Sequence, residues 1–167
     1  MSDHDHDPNP QLTETDRGYL RRCVELAQEA LAAGDEPFGS VLVLDDAIVA
    51  QDRNRVAGGD RTRHPELSLA RWAIENLQEQ QRAVAQVYTS GEHCPMCAAA
   101  HGWAGLGRIV YATSSAQLGQ WLREWGVPAA PVALLPIQQV VPGVPVAGPE
   151  ESLTEQIREL HHRCHVG

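Results

Sequence analysis

The chain has 167 residues, is 43% hydrophobic, and carries a formal charge of -9 from 13 basic and 22 acidic residues. That length suits one domain with a substantial core, and the acidic balance excludes a broad electrostatic grip on a polyphosphate, so nucleic acid is not the expected partner. No apolar run approaches the ~18 residues of a membrane span and no signal-like segment follows Met1, so no membrane association and a cytoplasmic location are expected.

Residues 1–12 mix His, Asp and Pro without apolar periodicity and are expected to form a disordered acidic tail, leaving 13–167 as a single domain. Thr13 or Thr15 is a candidate N-cap for a helix in which Leu20, Cys23, Val24, Ala27, Ala30 and Leu31 recur at helical spacing up to Gly34. Two apolar runs, 41–44 and 47–50, flank Asp45-Asp46 and predict a hairpin whose strands are covered on both faces. A polar loop over 51–63 leads to a second helix at His64-Pro65-Glu66, with Leu67, Leu69, Ala70, Ala73, Ile74 and Leu77 as its buried face.

Residues 84–89 read as a third strand, after which Cys94-Pro95-Met96-Cys97 opens a third helix that ends among Gly102, Gly105 and Gly107. A strand over 108–111 and a helix over 115–125 follow. Prolines then recur, so 127–149 reads as a Pro-rich arm wrapping the surface or a second subunit, with 132–135 as a short fifth strand. Ser152 or Thr154 is expected to cap a last helix running to about His162. This order of elements predicts an α/β fold, a three-layer α/β/α sandwich.

The chemistry-bearing residues cluster in two short segments. Cys94 and Cys97 lie one helical turn apart, and His64 stands two residues before Glu66. One histidine and two thiolates make three protein ligands, the number that an open, catalytic zinc site uses. Both segments fall at predicted helix N-termini, where partial positive charge favours the thiolate form. Glu66 is then placed to exchange protons with a water activated at the metal. Two other readings stay open on the residues alone. The Cys-x-x-Cys pair is compatible with redox chemistry, and His93 or His101 would complete a closed structural site. Cys23, on an apolar helix face, reads as a small buried hydrophobe.

His64-Pro65-Glu66 and Cys94-Pro95-Met96-Cys97 resemble the two halves of the zinc-dependent cytidine deaminase-like superfamily, His-x-Glu and Pro-Cys-x-x-Cys. Pro37-Phe38-Gly39, Asn54 and Asp60-Arg61-Thr62 are similar to the surroundings of those motifs in bacterial guanine deaminases and tRNA adenosine deaminases. The likeness runs over about 16–112. It implies a mixed five-stranded sheet, one Zn2+ per chain held by His64, Cys94 and Cys97, and Glu66 as the proton shuttle. It also implies that Asn54 hydrogen-bonds the base, that Phe38 packs on its ring, that Pro65 borders it, and that the chain pairs as a homodimer. His93 replaces the proline usual before the first Cys, and Pro65 replaces the usual alanine, removing a backbone N–H. Trp103 falls where guanine deaminases carry an aromatic stretch, so a small-molecule base, guanine first, is the expected substrate. The acidic residue expected just after the 108–111 strand is missing, since Ala112-Thr113-Ser114-Ser115 stand there.

Overall fold

Thr13 caps the first helix. Its hydroxyl accepts from the Asp16 N–H while the Asp16 carboxylate accepts from the Thr13 N–H, closing a capping box. The helix, α1 (Glu14–Ala32), ends at Gly34, whose φ of 89° suits only glycine-like geometry. The computed structural model describes residues 12–167. The expected disordered tail therefore lies outside the described residues except for Leu12, which is buried against α1 and belongs to the core.

The hairpin forms as predicted, from β1 (Gly39–Leu44) and β2 (Ala47–Arg53). Asp45 and Asp46 have φ of 52° and 60°, the pair of left-handed residues that a two-residue hairpin turn requires. Every residue of β1 is buried, but β2 is an edge strand with exposed positions, so only the first strand is covered on both faces. Next come α2 (Pro65–Asn76), a six-residue α3 (Glu79–Val84) and β3 (Gln86–Gly91). Val84 thus ends a helix instead of opening the third strand. Ile74, assigned to the buried face of α2, is 55% exposed because the core side of that helix is taken by Leu69, Ala70 and Ala73.

The chain continues through α4 (Pro95–Trp103), β4 (Ile109–Thr113) and α5 (Ser115–Glu124), then a four-residue α6 (Ile137–Val140), β5 (Val146–Ala147) and α7 (Thr154–His165). The fifth strand is Val146–Ala147 and not 132–135, where Val132, Leu134 and Leu135 are exposed. Pro145 and Pro149 bracket β5, and a strand so confined is short and sits at the edge of the sheet. Neither predicted cap serves α7. Ser152 Oγ donates to the Glu150 carboxylate, and Thr154 is already the first helical residue, entered from a turn at Glu151–Leu153.

The sheet runs β2-β1-β3-β4-β5, antiparallel from β2 to β3 and parallel from β3 to β5. Side chains alternate across it. Val41, Val43, Tyr88 and Val110 pack toward α1, Trp121 of α5, and Ile157 and Leu160 of α7. Leu42, Leu44 and Val87 pack toward Leu69, Ala70 and Ala73 of α2, with Ala104 and Leu106 after α4. The result is the three-layer α/β/α sandwich with a mixed five-stranded sheet. Among the described residues no helix is long and apolar enough to cross a membrane.

Candidate metal centre and its surroundings

Helices α2 and α4 pack side by side and begin at the same end of the sheet. Each opens with a proline in its first turn, Pro65 and Pro95, preceded by an extended residue at the N-cap. Those N-cap residues are His64 and Cys94, and neither side chain caps its own helix. They turn toward each other instead. His64 Nδ1 lies 3.5 Å from Cys94 Sγ and 3.6 Å from Cys97 Sγ. Among the described residues these three form the one group of His, Cys or carboxylate ligands close enough to share an ion, all within 4.8 Å.

The triangle fits zinc. With Zn–N near 2.0–2.1 Å and Zn–S near 2.3 Å, tetrahedral angles set nitrogen and sulfur about 3.6 Å apart. The two thiols differ in acidity without a metal. Hydrogen bonding from Cys97, outweighing the effect of burial and helped by His64, brings Cys94 down to about 4. The Cys97 thiol is pushed up by its hydrogen bond to Cys94 and by burial. Hydrogen bonding to Cys94 in turn raises the His64 imidazole against the opposing effect of burial. The pair therefore already holds one thiolate against a protonated neighbour, and an ion would replace those shared protons.

Glu66, at the second position of α2, is buried next to the triangle. Thr89 Oγ1 donates to its Oε1 at 2.7 Å and Ser40 Oγ at 3.1 Å, with the two hydroxyls 2.8 Å apart. Ser40 and Thr89 face each other across β1 and β3. Burial raises the Glu66 carboxyl above the ordinary carboxylate range, with the Thr89 hydrogen bond opposing. Sequence reasoning passed over both hydroxyls; the one available signal was a polar residue inside each otherwise apolar strand.

The remaining predicted residues divide. Asn54 is buried, and its Oδ1 accepts from the Val56 N–H at 3.1 Å and the Glu36 N–H at 3.3 Å. Its backbone N–H donates to the Phe38 carbonyl, so Asn54 and Phe38 are brought together. The Phe38 ring in turn lies over Gly91, where a Cβ would stand 3.1 Å from it. Trp103 is not brought in. It is 90% exposed at the last residue of α4, about eight residues and ~12 Å along the helix from Pro95.

His93 and His101 do not join the metal group either. Both are buried and meet edge to face at 5.5 Å, and His101 Nε2 donates to the Gly107 carbonyl at 2.7 Å. Burial lowers both imidazoles, His93 well below its ordinary value, so this pair is neutral packing behind α4. A cavity of about 300 Å³ opens beside His64, lined by Arg55, Arg63 and Arg71 together with Asp52 and Asp60.

The pattern of the cytidine and deoxycytidylate deaminase zinc-binding region matches residues 13–113. A probable cytosine deaminase of Schizosaccharomyces pombe is 32% identical over 109 residues, covering 65% of this chain and 66% of that protein. A guanine deaminase of Bacillus subtilis is 41% identical over 106 residues, covering 60% and 68%. A tRNA-specific adenosine deaminase of Agrobacterium fabrum is 39% identical over 87 residues, covering 50% and 57%. The chain thus matches 57 to 68% of these relatives' own length. In three dimensions, a guanine deaminase from Nitrosomonas europaea shares the fold, with a TM-score of 0.66 over 93% of this chain and 88% of that one at 22% identity. The segment 13–113 carries both half-motifs and all three corners of the metal triangle, and on that ground the chain belongs to the cytidine and deoxycytidylate deaminase zinc-binding family.

Proposed function

We propose that the chain is a zinc-dependent hydrolase that replaces the exocyclic amine of a free nucleobase or related amino-heterocycle by oxygen, releasing ammonia, with guanine the first candidate. The observation that carries this reading is the buried Glu66 carboxylate, held by two hydroxyls beside a His-Cys-Cys triangle of zinc dimensions. Zinc, when bound by His64, Cys94 and Cys97, supplies Lewis acidity toward a water molecule. Glu66 takes a proton from the attacking water and returns it to the substrate nitrogen. Its Oε1 is occupied by Thr89 and Ser40, which leaves Oε2 to carry that proton. Burial holds the carboxyl nearer to neutrality, where accepting and returning a proton are both accessible. Asn54, with Oδ1 committed to the loop, offers its amide NH2 to an acceptor on the base, and Phe38 offers a ring face. Pro65 borders the same space.

Guanine is favoured by the 41% identity to the Bacillus subtilis enzyme and by the charge of -9, which opposes binding of a polyanion. The exposed position of Trp103 removes one argument for a free base. A tRNA adenosine reading has its own support in Arg63 and Arg71 beside His64, in a cavity where Arg55 is paired with Asp52. A homodimer and a cytoplasmic location belong to the same proposal. Exposed Ile74 and Trp103, on the adjoining helices α2 and α4, supply apolar surface that a second copy would cover.

The test is an ammonia-release screen of the zinc-loaded chain over guanine, adenine, cytosine and triazine-type bases, with Glu66→Gln as control. Release from guanine that is lost in Glu66→Gln supports the reading. Failure on every base, with inosine appearing in an anticodon stem-loop, transfers it to tRNA.

A further inference from the structure

The Phe38 ring touches two neighbours. One is Gly91, whose carbonyl lies 2.9 Å from the Thr89 hydroxyl that holds Glu66. The other is His161 of α7, edge-on at 5.0 Å between centroids with planes at 63°. His161 is 1% exposed and its Nδ1 has no hydrogen-bond partner among the described residues. It makes further ring contacts with Trp121 at 6.2 Å and with His165, stacked at 6.4 Å with planes 7° apart. What His161 contributes to its surroundings is therefore shape. Burial keeps the imidazole neutral, at about 3, so it packs as an uncharged ring.

This file of rings leads outward to a second cavity. His165 lines a space of about 450 Å³ together with Glu36, Val56, Arg61 and Cys164. Glu36 and Val56 are the residues whose N–H groups hold the Asn54 side chain. Phe38, His161 and His165 thus run from the strand end beside Glu66 to the rim of a cavity large enough for a base. Helix α7 is anchored independently, by Ile157 and Leu160 in the core. His161 also lies beyond residues 13–113, outside the segment that defines the family.

We propose that His161 is a specificity-determining positioning residue: packed against Phe38, it sets how far that ring stands into the base pocket and thus the size of heterocycle accepted. This rests on the reading in which Phe38 packs against the base. Its test uses the zinc-loaded full chain with His161→Ala, which removes the ring, and His161→Leu, which keeps its volume. A misfit of one methylene in an apolar pocket changes discrimination by about 10–200-fold. His161→Ala is accordingly expected to raise KM for the deaminated base by about tenfold, with kcat within about twofold, and to narrow the KM gap to a bulkier analogue such as 8-methylguanine. His161→Leu keeps the wild-type KM ratio. Combined with Phe38→Ala, neither His161 variant adds a further effect on KM, since the ring it acts through is gone. Equal KM values in wild type and His161→Ala, or additive effects with Phe38→Ala, overturn the proposal.

A second readout does not depend on turnover. The chain contains one phenylalanine, so 4-fluorophenylalanine labelling gives a single 19F resonance that reports Phe38. That resonance is expected to shift and broaden in His161→Ala and to stay near its wild-type position in His161→Leu; an unmoved signal in His161→Ala overturns the proposal. If His161→Ala does not fold, a displaced resonance or a lost KM ratio in His161→Leu overturns it instead. A wild-type chain that deaminates no base defeats the deaminase reading, and the 19F comparison then decides the positioning of Phe38 by itself.

Discussion

Thr89→Val removes the nearer of the two hydroxyls that hold Glu66 while conserving side-chain shape and strand propensity. Thr89 Oγ1 stands 2.7 Å from Glu66 Oε1, and although the Gly91 carbonyl at 2.9 Å competes for the same proton, a charged carboxylate is the stronger acceptor. A hydrogen bond to a charged group contributes about 1.5–3 kcal/mol, so its loss raises the Glu66 carboxyl further. The lower figure is expected for the single change. Ser40 Oγ, 2.8 Å from the Thr89 hydroxyl and 3.1 Å from Glu66, gives its proton wholly to the carboxylate once Thr89 is gone.

The sign follows from the proposed role of Glu66. A general base acts ionised, burial already raises Glu66, and removing a donor to the ionised form raises it further. The acid limb of kcat/KM for ammonia release therefore moves to higher pH in Thr89→Val and further still in Ser40→Ala/Thr89→Val. Zinc content stays at wild-type level, because neither hydroxyl touches a ligand. An acid limb that does not move in the double variant, with zinc and fold retained, refutes the assignment of Glu66 as a base poised by these hydroxyls.

Three further outcomes are expected. Gly39→Ala places a Cβ against the Cys23 carbonyl and Leu26 Cβ and 2.8 Å from the Ala27 nitrogen, much of it backbone that cannot yield, so α1 must lift from β1. Overpacking of that kind costs about 3 kcal/mol and lowers Tm by roughly 10 °C in a thermal melt. Burial pushes the Asp16 carboxyl up, but hydrogen bonds from Arg108, Tyr88 and the Thr13 N–H outweigh it and hold it at about 2. That contribution, about 2 kcal/mol, is complete above the unfolded-state pKa near 4 and is lost as pH falls through about 2, so denaturant midpoints should drop across that window and lose this component in Asp16→Asn. Trp103→Ala, at an exposed helix end, should leave kcat/KM for a free base within about twofold; a tenfold loss would return Trp103 to the substrate pocket.

The parts legible beforehand share a physical origin: they are local. Thr13 (one of the two candidate caps), the Asp45-Asp46 turn and the prolines at two helix starts are each decided within a few residues, and all appear in the structure. The metal triangle was legible because ligand chemistry is confined to few residue types and their spacing showed which helix turns carry them. The misreadings were decided by tertiary context. The apolar run at 132–135 looks like a strand but stays exposed and unpaired, while Val146–Ala147, too short for any pattern, takes the place beside β4. Ile74 carries a helix-face signal that its neighbours do not honour, and Trp103, placed by resemblance and not by periodicity, ends α4 exposed. Ser40, Thr89 and His161 were silent because each acts on a residue at least 23 positions away in sequence, Glu66 for the first two and Phe38 for the third.

The pairing of Ser40 with Thr89 across β1 and β3 ties strand alignment to proton chemistry. Side chains alternate along a strand, so a slip of one residue between β1 and β3 would send one hydroxyl to the opposite face and leave Glu66 buried with a single donor. The two strands are separated by β2, a long loop and two helices, so this contact closes a large loop and cannot form early by chance. During refolding, competence for the proposed deamination should therefore lag behind helix formation and metal uptake by α2 and α4. Regained turnover would serve as a clock for the moment the central strands find their alignment.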